Sequence, residues 1–258
     1  CDLNPDAVCP DGCTAKAGPV RALPSASNVT TSSLLHFFSE EFGFGPRETV
    51  AIMGAHSIGT AKRTNSGYHA PDGWTFNKEK LSNDYYDLIV GGNGHDSLEG
   101  LNDEDIFFTT KWEQESIDNR NKGTPDRIQW FHQKDNTSNP NTGEPKRSER
   151  LMMLNADIAL VRDYSEYLDE ETGGVGCNFR CCPDDTMPVC PAANLTMWIA
   201  AEFKFNNTLW LEEFRDAFDR MLLKGHIMSA HCPPDDEPCL LEAPKGGGEE
   251  SANIRGRI

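Results

Sequence analysis

Apolar residues recur with helical spacing in several stretches of the chain. The clearest pattern places Trp210, Phe214, Ala217 and Met221 on one face, at positions i, i+4, i+7 and i+11. In another stretch, Pro46 follows a glycine-rich break and can occupy the first position of a new helix. We therefore predict a mainly α protein, with helices over residues 31–42, 46–54, 81–90, 155–168 and 208–223.

The remaining stretches have little helical period. In the polar residues 91–150, Trp112, Ile128, Trp130 and Phe131 either form short strands or anchor a long loop. Elsewhere, clusters of cysteine, proline and aspartate predict loops. The predicted organisation is a cysteine-tied N-terminal segment (1–30), a helical domain (31–223) and a disulfide-prone C-terminal loop with a mobile tail (224–258). The domain would contain an irregular insertion at about 91–150 and a cysteine-rich loop at about 171–193.

The composition indicates an acidic, folded protein. The 258 residues carry 24 basic and 41 acidic side chains, a formal charge of 24 − 41 = −17. This charge disfavours nonspecific attraction to nucleic acid and to anionic membranes. No apolar run approaches the roughly 18 residues that a membrane-spanning helix needs. We therefore expect no nucleic-acid partner and no membrane span.

Cysteines and glycosylation sequons predict a secreted protein. The nine cysteines lie in loop-like groups, and no CxxC pair occurs, which favours disulfides in an oxidising compartment over a zinc site. Asn28, Asn136, Asn194 and Asn206 begin Asn-x-Ser/Thr sequons, which predict N-glycans. The odd cysteine count leaves at least one thiol free or bonded outside the chain. A start at Cys1, without an initiator methionine, predicts a processed fragment.

A histidine with small neighbours follows one of the apolar helices. Residues 48–60 read ETVAIMGAHSIGT, in which Gly54, Ala55 and Gly59 surround His56. Small neighbours allow a flat, bulky group to approach the backbone closely. On these residues alone, His56 is either a buried core histidine or a ligand.

Several motifs occur together in an order that is typical of one family. Residues 55–59 (AHSIG) precede 65–68 (NSGY), 74–75 (WT), 82–86 (SNDYY), 151–163 (LMMLNADIALVRD) and 203–218. Together these motifs resemble the C-terminal, proximal half of the plant, fungal and bacterial haem peroxidases, with cytochrome c and ascorbate peroxidases as the most similar members. The resemblance implies a mainly α, haem-peroxidase-like proximal domain with long irregular, disulfide-rich insertions, and haem b as its cofactor.

The resemblance also implies roles for particular residues. His56 would give one ring nitrogen to the haem iron, and Asp157 would accept the hydrogen bond of the other ring nitrogen, fixing the tautomer. Without that context, Asp157 reads as a carboxylate in the first turn of a helix. Trp74 matches an indole beside the histidine, which either packs there or carries an electron. Thr60 and Lys62 match positions that meet the haem propionates.

A cation site is a weaker implication of the same resemblance. Potassium or calcium would be held by Ser57, Thr75 and Asn77. The position that usually carries an aspartate is Ser82 here, a departure from the carboxylate charge that such cations favour. Asp72 or Asp84 could compensate.

The family cleaves peroxide on the opposite, distal face of the haem, with a histidine and an arginine. No Arg-x-x-x-His or Arg-x-x-Phe-His motif precedes His56, and His36 is expected to be a packing residue of its helix. Three explanations remain open. The distal half could be a second chain, bridged by the odd cysteine, or an N-terminal portion outside this sequence, or it could be lost in a degenerate homologue.

Two functions follow from these expectations. The first is the proximal part of a secreted haem peroxidase, an oxidoreductase that uses hydrogen peroxide to oxidise a reductant. The alternative is a non-catalytic structural or binding glycoprotein on the peroxidase scaffold, because a fold does not establish a function.

Overall fold

The computed structural model describes residues 28–69, 73–91, 97–98, 112–117, 127–133, 150–177 and 187–224. Nearly all of them belong to one compact unit, Pro24–Met221. The described residues 222–224 fall outside this unit. The predicted N-terminal segment and C-terminal tail therefore lie almost entirely outside the described residues.

Helices make up most of the regular structure in the described residues. The α-helices are α1 (Thr31–Phe42), α2 (Pro46–Met53), α3 (Arg63–Ser66), α4 (Asp84–Val90), α5 (Asn155–Ile158), α6 (Met197–Phe205) and α7 (Asn207–Leu223), with 3₁₀ turns at Gly54–Ser57 and Ser165–Tyr167. None of the described helices has the length and apolar content needed to cross a membrane. The predicted helices 31–42, 46–54, 81–90 and 208–223 are confirmed, with small shifts at their ends.

Local sequence signals determine the ends of the first two helices. At the start of α1, Thr30 Oγ1 accepts from the Ser33 amide at 3.2 Å, and Ser33 Oγ accepts from the Thr30 amide at 2.9 Å. Gly43 ends α1 in the left-handed conformation, with φ 66°. Pro46 occupies the first turn of α2, and the Glu48 carboxylate accepts from the preceding glycine amide at 3.0 Å.

The predicted helix over 155–168 is interrupted. Only α5 is α-helical there, and a turn separates it from the 3₁₀ turn at Ser165–Tyr167. The apolar residues Ile158 and Val161 are fully buried, and so is Tyr164, whose hydroxyl donates to the Asn155 and Val29 carbonyls. Burial on all sides gives an apolar pattern resembling a helical stripe, so periodicity alone could not reveal the break.

A three-stranded antiparallel sheet replaces part of the predicted irregular insertion. It has the order β1 (Trp112–Ile117), β2 (Arg127–Gln133) and β3 (Arg150–Met153). The Trp112 indole donates to the Leu88 carbonyl at 2.9 Å, and the Trp130 indole donates to Asn155 Oδ1 at 2.7 Å. Of the two alternatives left open for the aromatic residues of 91–150, short strands are therefore the one observed, because these residues pack into the core and satisfy their polar atoms there.

The expectation of disulfide-rich insertions is not supported. Cys177 and Cys190 form the one disulfide in the described part of the chain, 13 positions apart. The other cysteines lie outside the described residues. Disulfides among those other cysteines stay a prediction.

The core brings α4 against α2 and α6. Tyr85, Tyr86 and Ile89 of α4 are fully buried, as are Phe203 of α6 and Trp210 of α7. The sheet meets the same core through Trp112 and Trp130. This packing fixes the segment that follows α2, where His56 lies.

Candidate functional site

His56 lies in the 3₁₀ turn Gly54–Ser57, directly after α2. Two side chains bind the last carbonyls of α2: the Tyr86 hydroxyl donates to Val50 at 2.7 Å, and the Trp210 indole donates to Ala51 at 3.1 Å. The Tyr86 bond pairs a carbonyl of the helix end, and the Trp210 bond adds a second donor to the Ala51 carbonyl, which also accepts from the Gly54 amide. The backbone that carries His56 is thereby tied to α4 and α7.

Gly54 allows this close approach. A Cβ atom at this position would lie 2.6 Å from both Trp210 Nε1 and the Tyr86 hydroxyl. Any larger residue would displace one of the two rings, so glycine is needed here for space rather than for an unusual φ. The small neighbour noted beside His56 in the sequence thus admits core side chains, and not a cofactor, at this point.

The structure brings His56 and Asp157 together across 101 positions of sequence. His56 Nδ1 lies 2.7 Å from Asp157 Oδ1. The Asp157 side chain is fully buried, and the His56 side chain is 30% exposed. Since Nδ1 is engaged and Nε2 makes no hydrogen bond within the described residues, the imidazole can direct the Nε2 lone pair outward.

Tyr85 completes this arrangement, and the sequence analysis missed its role. Its hydroxyl donates to Asp157 Oδ1 at 2.8 Å, while the Leu154 amide donates to Oδ2 at 2.7 Å. Burial, and after it the charge of Asp157, raises the pKa of Tyr85 well above its usual value, so the phenol remains a donor. The signal in the sequence was a tyrosine at an apolar helical position, which can satisfy its hydroxyl only inside the core.

Trp74 stacks on His56. The ring centroids are 3.9 Å apart and the planes are 7° from parallel. The loop that carries Trp74 is attached to the His56 turn, because Thr75 Oγ1 donates to the Ser57 carbonyl at 2.7 Å and the Gly59 amide donates to the Lys78 carbonyl at 2.8 Å. The His56 and Trp74 rings are therefore held together by bonds between the two segments that carry them.

Gly73 allows the backbone conformation of the loop that carries Trp74. Its φ is 98°, a conformation that favours glycine, and an added Cβ would lie 2.8 Å from Lys78 Cβ and 2.9 Å from the Gly59 carbonyl. The residue before Trp74 therefore has two independent reasons to be glycine.

The residues around His56 fit a haem iron in their donor chemistry. The free Nε2 is a usual axial ligand, and a carboxylate on Nδ1 is the usual partner of a ligating histidine. The neighbouring Ile58 is 43% exposed, which places an apolar side chain at the surface beside the ligand.

The predicted cation ligands are only partly brought together. Ser57 and Thr75 are buried and in contact, but Asn77 is exposed, and its carbonyl accepts from the Lys80 amide. The buried Ser82 hydroxyl has no hydrogen-bond partner within the described residues. None of the described residues form a group of three or more His, Cys, Asp or Glu arranged to hold a metal ion. Potassium or calcium binding stays a prediction, and Asp72 lies outside the described residues.

Thr60 and Lys62 are exposed and follow the His56 turn. Their role at haem propionates stays a prediction. His36 is exposed on α1, so its expected packing role is wrong; its helix presents it to solvent instead.

Proteins similar in sequence to this chain are peroxidases. A mitochondrial cytochrome c peroxidase of Neurospora crassa is 31% identical over 152 residues, which cover 59% of this chain and 30% of that protein. A mitochondrial cytochrome c peroxidase of Yarrowia lipolytica is 26% identical over 207 residues, which cover 80% of this chain and 40% of that protein. A putative heme-binding peroxidase of the same species is 45% identical over 49 residues, 19% of this chain and 16% of that protein.

The chain thus has homologues that are named cytochrome c peroxidase and heme-binding peroxidase, at low identity and over part of their length. The resemblance inferred from the motifs, including the similarity to cytochrome c peroxidases, is confirmed. The chain spans 30% and 40% of the length of the two cytochrome c peroxidases described above. No family model matches the chain.

The names of these peroxidases contradict the predicted secretion. The cytochrome c peroxidases of Neurospora crassa, Yarrowia lipolytica and Candida albicans are mitochondrial. The prediction of a secreted protein is therefore wrong. It rested on cysteine number and short sequons, and both are features of composition that also occur by chance in proteins that are never exported.

Proposed function

We propose that this chain is the proximal, iron-ligating part of a haem peroxidase that uses hydrogen peroxide to oxidise a reductant. The observation that carries the proposal is the contact between His56 Nδ1 and the buried Asp157 carboxylate, which leaves Nε2 available to iron. The homology to peroxidases supports the same function. Bound haem, of the b type in this proposal, would supply the redox chemistry with peroxide.

The residues of the chain bind and orient the ligand. Asp157 holds the proton of His56 on Nδ1 and so fixes the tautomer that presents Nε2 to iron. Tyr85 and the Leu154 amide hold the carboxylate in place. Trp74 covers one face of the imidazole, fixes its plane and places an oxidisable indole beside the ligand.

The distal half of the site is proposed to lie outside this chain, in a preceding portion of the same polypeptide or in a second polypeptide. The limited span of the matches to longer peroxidases supports this placement. A nonreducing gel of native material would reveal a disulfide-linked second polypeptide, and mass spectrometry would give the length of a single one.

The proposal is tested with His56→Ala in the native protein, with His36→Ala as the matched control on an exposed position. We expect about one haem per molecule by pyridine haemochrome assay in the wild type and in His36→Ala, and its loss in His56→Ala. Added imidazole should restore a ligated spectrum to His56→Ala, because the cavity left by the His56 ring is still bordered by Asp157 and Trp74. Unchanged haem content and turnover in His56→Ala would exclude His56 as the ligand. Haem without any spectral response to peroxide would favour a binding scaffold over an enzyme.

A further inference from the structure

One oxygen of the buried carboxylate receives two side-chain donors. Asp157 Oδ1 accepts from His56 Nδ1 at 2.7 Å and from the Tyr85 hydroxyl at 2.8 Å. Oδ2 accepts from the Leu154 amide at 2.7 Å, so the two side-chain donors meet on the other oxygen. Within the described residues, His56 is the only ion-pair partner of Asp157.

The neighbouring rings hold the Tyr85 phenol firmly. Tyr85 is fully buried in α4, and its ring meets the His56 ring edge-on, with centroids 6.4 Å apart and planes 77° apart. On its other side it meets Tyr86, with centroids 5.0 Å apart and planes 79° apart. These contacts fix the direction of the hydroxyl toward Asp157 Oδ1. The hydroxyl keeps its proton because burial raises the pKa of Tyr85.

We propose that Tyr85 is a positioning residue that limits how strongly His56 can donate electrons to a bound iron. Two donors on one carboxylate oxygen share its negative charge, so each hydrogen bond is weaker than it would be alone. The Tyr85 hydroxyl therefore draws charge away from the bond to His56 Nδ1 and reduces the imidazolate character that Asp157 confers. The effect on iron rests on the proposed function, whereas the effect on the His56–Asp157 bond does not.

Packing alone does not require this hydroxyl. A phenylalanine at position 85 would fill nearly the same volume without a polar atom to bury, and burying a hydroxyl is costly unless it is hydrogen-bonded. The Tyr85 hydroxyl donates to the carboxylate oxygen that His56 also contacts. The Tyr86 hydroxyl, by contrast, donates to a backbone carbonyl.

The test compares Tyr85→Phe with Tyr86→Phe. The control removes an equally buried hydroxyl from the next residue, one that donates to the Val50 carbonyl at 2.7 Å and does not touch Asp157. In the haem-loaded native protein, Tyr85→Phe should shift the iron reduction potential to more negative values and raise the iron–histidine stretching frequency in resonance Raman spectra. Tyr86→Phe removes one bond at the end of α2, so it should lower thermal stability and haem affinity, but in the haem-loaded protein it should neither make the potential more negative nor raise the iron–histidine stretching frequency.

A haem-free measurement separates this proposal from the proposed function. In ¹⁵N-histidine-labelled apoprotein, Tyr85→Phe should move the His56 Nδ1 proton resonance downfield, since its bond to Asp157 strengthens. If Tyr85→Phe does not fold, 3-fluorotyrosine at position 85 provides the opposite change, because a more acidic hydroxyl donates more strongly and should move the resonance upfield. A wild type that binds no haem would refute the proposed function and leave this measurement decisive. An unmoved Nδ1 resonance, or shifts of the wrong sign, would overturn the role of Tyr85.

Discussion

The Trp74 indole lies parallel to the His56 imidazole, with ring centroids 3.9 Å apart. The two residues are joined by more than this contact, because Thr75 and Gly59 bond the Trp74 loop to the His56 turn. The stacked ring, together with Asp157 on Nδ1, leaves the imidazole little freedom to rotate. Stacking therefore fixes the direction of Nε2 as well as burying apolar area.

We expect Trp74→Phe to keep haem and Trp74→Ala to bind it weakly. The phenyl ring preserves a stacked contact, whereas alanine removes it. Trp74→Ala should lower the free energy of unfolding by about 3 kcal/mol. This value is the lower end for truncation of a tryptophan, because the indole is half-buried. Urea unfolding and haem titration measure both effects. Trp198→Phe, on a partly exposed tryptophan of α6, is the control. Equal haem affinity in all variants would contradict an orienting role. Slower turnover of Trp74→Phe at full haem content would assign electron transfer to the indole.

We expect Asp157→Asn to raise the reduction potential of the iron, because a neutral amide no longer supports imidazolate character on His56. Asp157→Ala should additionally destabilise the fold by about 2–3 kcal/mol, since it leaves the buried Tyr85 hydroxyl and Leu154 amide unpaired. Spectroelectrochemistry and urea unfolding measure the two effects. Asp163→Asn is the control, because in the described part of the chain that carboxylate accepts hydrogen bonds from Ser165 alone, within its local turn. A potential unchanged in Asp157→Asn would mean that the carboxylate only holds structure.

Motif order in the sequence was sufficient to predict that His56, Asp157 and Trp74 belong to one site, and the structure places them in contact. Tyr85 could not be found in the same way. It occupies an apolar position of α4 and serves the core with its ring, so the pattern accounts for it completely. Only its distance to Asp157 shows the second use of its hydroxyl.

The secondary structure elements likewise differ in how well the sequence predicts them. Capping residues and one-sided apolar stripes predict α1, α2 and α7, because those signals are local. The pairing of β1, β2 and β3 depends on contacts between residues distant in sequence, as in Trp130 opposite Met153. Helix α6 was not predicted, because its buried residues lie on several sides of the helix and the sequence therefore shows no clear alternation of apolar and polar faces.

We expect Gly54→Ala to destabilise the protein by about 1–3 kcal/mol, the range for an extra methyl group in a packed core. Its Cβ would lie 2.6 Å from Trp210 Nε1 and from the Tyr86 hydroxyl, and both atoms bind the end of α2. The His56 turn should shift as those bonds are lost, which lowers haem affinity as well. Gly176→Ala is the matched control, because among the described residues its Cβ would meet only the Tyr167 carbonyl, at 3.6 Å. Equal unfolding midpoints in urea for the two variants would contradict the steric requirement at Gly54.

Alkaline pH should destabilise the fold through its buried tyrosines. Burial raises the pKa of Tyr85, Tyr86 and Tyr164 well above the usual value, so each remains protonated in the folded protein while the unfolded chain ionises near pH 10. Their stabilising contribution is complete below about pH 10 and is lost as the pH rises toward the folded pKa, at about 1.4 kcal/mol per pH unit for each tyrosine. Urea unfolding between pH 9 and about 11.5, with phenolate absorbance at 295 nm, measures this loss.

Tyr86→Phe isolates one of these contributions, since it should make the fall of stability above pH 10 shallower by about 1.4 kcal/mol per pH unit. Phe203→Leu changes a ring that packs against Tyr86, with centroids 5.5 Å apart, and should lower stability equally at every pH. Because lysine deprotonation affects both variants alike, the difference between their slopes reports Tyr86 alone. Equal slopes would mean that Tyr86 ionises inside the folded protein, against the burial that holds its hydroxyl on Val50.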